Sequence, residues 1–76
     1  MPTYFFDLTV NGVREQDEAG VPLSDPEAAK AEAYRVAGAI AAEPNGREKQ
    51  VLIQIRGEAS GYFCEVELKV VVRDVA

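Results

Sequence analysis

Histidine is absent from the 76-residue sequence, and cysteine occurs once, as Cys64. A single cysteine excludes an intramolecular disulfide and a cysteine-cluster metal site, and it is typical of a reducing compartment. Without histidine, general acid–base catalysis would depend on carboxylates, lysines or tyrosines with strongly shifted pKa values. Because no such residues are visibly arranged in pairs, we predict that the protein is not an enzyme and has no catalytic residues.

Positive charge is also scarce: 8 lysines and arginines stand against 13 acidic residues, for a net charge of −5. The basic residues are scattered, and binding to nucleic acids depends mainly on neutralising phosphates. The longest helical apolar run, residues 36–42, is far too short to span a bilayer, and the opening MPTYFFD lacks the pattern of a signal peptide. We therefore expect a soluble, cytoplasmic protein that binds neither nucleic acid nor membrane.

One segment, residues 24–43, has a helical period. Ser24 and Asp25 are good N-cap residues, Pro26 suits the first turn, and the Pro-Asn-Gly sequence at 44–46 ends the helix. Five apolar residues fall within one stripe and are predicted to cover a sheet: Ala29, Ala33, Val36, Ala37 and Ile40.

The rest of the chain shows the alternation typical of strands. Asn11-Gly12 suits a type I′ turn and predicts a hairpin between the first two strands. Four segments are predicted as strands: residues 3–10, 13–16, 51–56 and 63–73. The fold class predicted is therefore α+β, as a single domain over residues 1–76. Its order is ββαββ, with a four-stranded, mainly antiparallel sheet and one helix packed on one face.

Two surfaces of this arrangement have a surplus of small or apolar residues: the back of the helix and the sheet face that the helix leaves uncovered. A chain of this size has a small core, and pairing with a second copy is a common remedy. We predict a non-enzymatic interaction module that forms a homodimer; an unidentified protein partner and ordinary exposed hydrophobics are the alternatives. The unpaired edge of the last strand offers a third route. The candidate interface residues on the back of the helix are Ala31, Tyr34 and Gly38. Those on the uncovered sheet face are Phe5, Leu52, Phe63 and Val71.

Acidic residues near the first hairpin provide a second hypothesis. Asp7, Glu15, Asp17 and Glu18 could supply oxygen ligands to a divalent cation, but their spacing matches no calcium-binding loop. We therefore predict no metal site and no cofactor. The alternative function is a regulatory domain that binds a small molecule or an ion at the acidic loop, residues 17–21.

The opening MPTYFFDL and the segment DEAGVPLSDPEAAKAEA at residues 17–33 resemble the signature of a bacterial domain-of-unknown-function family of very small proteins. The resemblance covers nearly the whole chain and implies a bacterial, cytoplasmic setting, without an activity that could be transferred. Many members have histidine where this chain has Asp7, so a role for that histidine would not apply here. The shared pattern comprises Tyr4, Phe5, Phe6, Asp17, Gly20, Leu23, Asp25, Ala29, Glu32 and Ala33.

Overall fold

The computed structural model describes residues 1–44 and 48–75. Asn45 and Gly46, which are predicted to end the helix, lie outside the described residues. Within the described residues the chain forms an α+β fold, as the sequence predicts. No helix in this part of the chain is long and apolar enough to cross a membrane. The elements are β1 (Thr3–Val10), β2 (Val13–Glu15), β3 (Val21–Pro22), α1 (Pro26–Ala41), β4 (Glu48–Gly57) and β5 (Gly61–Val71).

The strands form one antiparallel sheet in the order β2-β1-β4-β5, and β3 pairs with β1 beside β2. The described residues thus contain five strands rather than the predicted four. The additional strand, β3, places Val21 opposite Tyr4 and Pro22 opposite Thr3. A strand of two residues is too short to show a period of two, so the sequence predicts a loop there.

The first hairpin is confirmed. Asn11 has φ 49° and Gly12 has φ 85°, which are the two positive values that a type I′ turn requires. Val10 lies opposite Val13 across the turn. On the other side of β1, Val10 lies opposite Val51 of β4, so β1 is a central strand of the sheet.

The helix begins and ends with identifiable caps. Asp25 is the N-cap, and its Oδ1 accepts a hydrogen bond of 2.8 Å from the backbone N–H of Ala28. At the other end, the buried Lys49 of β4 donates through Nζ to the carbonyls of Ile40, at 2.9 Å, and Glu43, at 2.6 Å. A lysine at this position satisfies carbonyls at the negative end of the helix dipole. It also ties α1 to the sheet.

The core lies between α1 and one face of the sheet, where α1 packs against β4 and β5. Val36 and Ile40 are partly buried and pack against the core, which confirms the predicted helix face. The buried helix residues are alanines, so the helix can approach the strands closely. The buried hydrophobic residues are Tyr4, Ala29, Ala33, Ala37, Val51, Ile53 and Ile55.

A β-bulge interrupts the pairing of β4 with β5. Ile55 lies opposite Cys64 and Arg56 lies opposite Tyr62, so Phe63 has no counterpart on β4. The Phe63 ring packs edge-on against the buried Tyr4 ring, with the centroids 5.9 Å apart. The prediction that Phe63 lies on the uncovered face is therefore wrong. Its physical reason is the extra residue, which breaks the alternation of side chains on which the prediction depends.

Candidate functional site

The uncovered face of the sheet carries a buried carboxylate, Asp7, which is 0% exposed. It accepts hydrogen bonds from Tyr62 Oη at 2.5 Å and from the backbone N–H of Asp17 at 3.0 Å. Arg14 Nη2 and Arg56 Nη2 each lie 3.3 Å from an oxygen of Asp7. Arg14 also donates to Tyr62 Oη at 2.8 Å, and Arg56 donates to the carbonyl of Asp17 at 3.0 Å. These five residues are called the Asp7 cluster below.

The Asp7 cluster is balanced in charge, because two carboxylates accompany two guanidinium groups. Burial by itself would raise the pKa of Asp7, but hydrogen bonds from Tyr62, Arg56 and the backbone of Asp17 outweigh it and lower the pKa below its usual value. The hydrogen bond to Asp7 raises the pKa of Arg56. A carboxylate with a lowered pKa is a weak base at neutral pH, so the cluster is better suited to holding strands together than to proton transfer.

Asp17 fills the gap between β2 and β3 along the outer edge of β1. Its Oδ2 accepts a hydrogen bond of 3.1 Å from the backbone N–H of Phe6, and its Oδ1 accepts bonds of 3.1 Å from the N–H groups of Ala19 and Gly20. Burial opposes ionisation, yet these three hydrogen bonds lower the pKa of Asp17. Gly20 has φ +75°, and a Cβ there would lie 2.6 Å from Thr3 Cγ2. The turn thus explains why Asp17 is followed three residues later by a glycine: Gly20 donates to the Asp17 carboxylate and adopts a positive φ.

The candidate interface residues on the uncovered face do not form one patch. The guanidinium of Arg56 lies 4.4 Å from the centre of the Phe5 ring, and Phe5 and Leu52 are half-buried. Phe5 lies opposite Arg56, whereas Val71 lies opposite Glu48, at the other end of β4. Eight residues of strand separate these positions, or about 26 Å at 3.3 Å per residue.

Tyr34 and Gly38, two of the three candidate residues on the helix, line a groove, whereas Ala31 is not among its lining residues. This groove, of about 340 Å³, runs between α1 and the outer edge of β5. Tyr34 is 75% exposed, and Ala31 and Gly38 are also exposed. Leu68 lies on the same side of β5 as the partly buried Val66, yet it is 38% exposed in the groove. The lining residues are Tyr34, Ala37, Gly38, Glu65, Val66, Glu67 and Leu68.

A comparison with family models found one that is described as a domain of unknown function, DUF6894, and that matches residues 3–69. The chain belongs to the DUF6894 family. Searches of curated proteins and of solved structures found no match. The matched region of the DUF6894 chain runs from the start of β1 to Lys69 in β5, so it contains the Asp7 cluster and the residues that line the groove.

The acidic loop of the DUF6894 chain is occupied by its own backbone. The carboxylate of Asp17 accepts three backbone hydrogen bonds, which use three of its about four acceptor positions and leave little capacity for a ligand. Glu15 and Glu18 are exposed. In the part of the chain that the structure describes, no group of three or more histidine, cysteine or acidic side chains is arranged to hold a metal ion. These contacts do not favour the loop as a ligand site.

The Asp7 cluster is not among the features that the sequence predicts. The sequence indicates Asp7 only as a candidate cation ligand, although it is the only charged residue of β1 and is flanked by aromatic and aliphatic residues. A charged residue in such a strand is a signal for a buried, paired carboxylate. Its partners Arg56 and Tyr62 lie 49 and 55 residues away, so they could not be assigned without the register of the sheet.

Proposed function

We propose that this DUF6894 chain is a non-enzymatic module of the bacterial cytoplasm that acts by association and forms a homodimer through the β5 side of the molecule. The observation that carries the proposal is the outer edge of β5. This strand has 11 residues, and no strand among the described residues pairs with its outer edge. An unpaired edge of this length presents a row of N–H and C=O groups to which another strand can add.

The contrast between the two edges of the sheet supports this choice of surface. At the other edge β2 has three residues and β3 has two, and the gap between them is filled by the Asp17 carboxylate. Short strands and a filled gap are typical of a protected edge. The outer edge of β5 has neither protection. The groove beside it also exposes Tyr34 and Leu68, whose burial would add hydrophobic stabilisation.

The uncovered sheet face is the less favourable surface for a dimer. Phe5 already packs under the guanidinium of Arg56, and that guanidinium is bound to Asp7. A partner on this face would have to cover charged groups that are at present partly in contact with water, which costs free energy. We therefore place the dimer interface at β5 and the adjacent side of α1.

Light scattering after gel filtration tests the proposal. Wild-type protein at micromolar concentration is expected to have about twice the chain mass of 8.3 kDa. Tyr34→Glu should raise the dimer Kd about tenfold or more, because it places a charge in the interface. Val13→Glu is the matched control, since Val13 is 71% exposed on β2 at the far edge of the sheet. A wild-type monomer at micromolar concentration would contradict the proposal.

A further inference from the structure

The hydrogen bonds of β4 establish which backbone groups of β5 point outward. Gln50 directs its backbone toward β1, because its carbonyl accepts from Asn11 N–H at 2.9 Å and its own N–H donates to Asn11 Oδ1 at 2.9 Å. Backbone direction alternates along a strand, so Val51 directs its groups toward β5, where it pairs with Leu68. Leu68 therefore points its N–H and C=O toward β4. Its neighbours Glu67 and Lys69 point theirs to the open edge.

Two copies of β5 that pair in antiparallel fashion around a two-fold axis have few possible registers. Side chains that lie opposite each other must be on the same face of the sheet. The two-fold axis therefore passes midway between the two copies of one residue, and that residue names the register. With the axis at Glu67 or at Lys69, that residue faces its own copy, and like charges directly opposite are destabilising. With the axis at Val66, Glu65 faces Glu67 of the second copy. Each of these three registers places like charges together.

The axis at Val70 avoids like charges but requires residues beyond the strand. In that register Glu67 faces Arg73 of the second copy, and Arg73 lies outside β5, which ends at Val71. The axis at Leu68 avoids both problems. It places Glu67 opposite Lys69 of the second copy, twice by symmetry, and it places Val66 opposite Val70. All of residues 65–71 then pair within the strand.

We infer that β5 pairs with β5 of a second copy in antiparallel orientation with Leu68 on the two-fold axis, so that the two sheets become one continuous sheet. This inference rests on the proposed function and specifies its interface. Four of the residue pairs in 65–71 are of the hydrogen-bonded type, and each exchanges two N–H···O bonds, for about eight bonds in total. Leu68 faces Leu68 in a non-hydrogen-bonded pair, in which side chains approach most closely.

The position of α1 agrees with this register. Because α1 packs over β4 and β5, its axis lies about half a strand spacing inward from β5. Two such helices on one continuous sheet would be about two strand spacings apart, or about 9.6 Å at 4.8 Å per spacing. This distance falls within the range of packed helices.

The helix residues beside the axis are small. Gly38 lines the groove together with Leu68, and no atom lies within 4 Å of where its Cβ would be, apart from its own helix turn and neighbours. Further along, Ala41 and Ala42 lie beside Val70 and Val72. The two-fold axis makes the two helices antiparallel, and the small residues let them cross near Gly38. Tyr34 of one copy would then lie close to Ala41 and Ala42 of the other.

Charge exchange tests the register. Glu67→Lys and Lys69→Glu should each raise the dimer Kd about tenfold or more, because each converts two opposite-charge pairs into two like-charge pairs. The double variant E67K/K69E should restore the wild-type Kd. Circular dichroism checks that each variant is folded. If the wild type is a dimer and both single variants keep its Kd, the register is wrong while the proposed function stands. A wild-type monomer would instead remove the proposed function itself.

Disulfide formation provides an independent test in the C64A background. Leu68→Cys should form an intermolecular disulfide on mild oxidation, because the opposed Cα atoms would lie about 4.5 Å apart, within the range of a disulfide. Val66→Cys is the matched control, since its two copies would be offset by four residues, or about 13 Å. A disulfide in the Val66→Cys variant but not in the Leu68→Cys variant would show a different register and overturn the inference.

Discussion

Replacing Asp7 by asparagine is expected to destabilise the protein strongly. The substitution keeps the size of the side chain but removes its charge and presents an amide NH₂ to neighbouring donors. Asp7 is 0% exposed and receives hydrogen bonds from Tyr62, from both guanidinium groups and from the backbone of Asp17. At least one of these donors must lose its acceptor in the variant, and Arg14 and Arg56 lose the anion that balances them.

The size of the loss in stability depends on how deeply each partner of the ion pairs is buried. Breaking a buried pair by removing one partner costs about 3–5 kcal/mol. The side chains of Arg14 and Arg56 are 47% and 23% exposed, so both can turn toward water, and this favours the low end, about 3 kcal/mol. A chain of this length is stable by only about 4–11 kcal/mol, at 0.05–0.15 kcal/mol per residue. The substitution should therefore remove a large share of the total stability.

The same reasoning predicts the pH dependence. The pKa of Asp7 is lowered in the folded state, so as the pH falls the unfolded chain takes up the proton first. The contribution of Asp7 is complete above the unfolded-state pKa, about 3.9, and is lost as the pH falls through the lower folded-state pKa. Asp17 behaves in the same direction. The acid slope of stability should thus be smaller in Asp7→Asn than in the wild type, but it should not vanish.

Urea unfolding followed by circular dichroism measures both effects. Protein concentration must be equal in all samples, because the proposed dimerisation would add to the apparent stability. The matched control is Glu15→Gln, an exposed carboxylate on β2, which should change the free energy of unfolding by less than about 0.5 kcal/mol. A loss below about 1 kcal/mol in Asp7→Asn, or an acid slope equal to that of the wild type, would refute the stabilising role of the cluster.

Two further substitutions test contacts that position these features. Gly20→Ala should lower the free energy of unfolding by about 2 kcal/mol or more, because a positive φ is combined with a Cβ 2.6 Å from Thr3 Cγ2. Gly12→Ala is the control and should cost less, because Gly12 has φ +85° and no atom within 4 Å of the added Cβ. Equal losses of stability in urea unfolding would exclude the clash. Lys49→Met should cost about 1–3 kcal/mol because it removes two hydrogen bonds to carbonyls at the end of α1, whereas Lys30→Met, at an exposed ion pair, should cost under about 0.5 kcal/mol. An equal effect of the two lysine substitutions on the free energy of unfolding would contradict the capping role.

The features of the fold that could be predicted depend on local sequence. The cap at Asp25 and the alanine stripe define the helix, and Asn11-Gly12 defines the first hairpin, since each acts over a few residues. The sequence predicts a helical segment over residues 24–43, whereas the helix runs over Pro26–Ala41, with Asp25 as its N-cap.

The features that could not be predicted depend on pairing between distant residues. The bulge at Phe63 is defined only by the shift between Ile55 and Arg56 on the neighbouring strand. Strict alternation along β5 therefore assigns Phe63 to the wrong face. The candidate surface is predicted only in part for the same reason. Tyr34 and Gly38 do lie together at the groove. Leu68 is not among the predicted interface residues, because its exposure depends on β5 being the outermost strand, and the order of strands does not follow from the sequence.

The bulge links the Asp7 cluster to the open edge of β5. By adding Phe63, it places Tyr62 opposite Arg56, from where the Tyr62 hydroxyl reaches Asp7 on the uncovered face. The same extra residue ends the regular ladder of β5 at Cys64, because a bulge bends the strand and disrupts pairing. The regular outer edge therefore runs from residue 64 to residue 71, and its midpoint falls between Glu67 and Leu68.

A two-fold axis at either of these two residues uses nearly all of the regular edge, whereas an axis further toward either end leaves more of each strand unpaired. Charge distinguishes these two positions of the axis. An axis at Glu67 would place that carboxylate opposite its own copy, whereas an axis at Leu68 would place it opposite Lys69. The bulge that brings Tyr62 to Asp7 thus also limits the length of the regular edge of β5 and sets its centre, where the proposed second copy would pair.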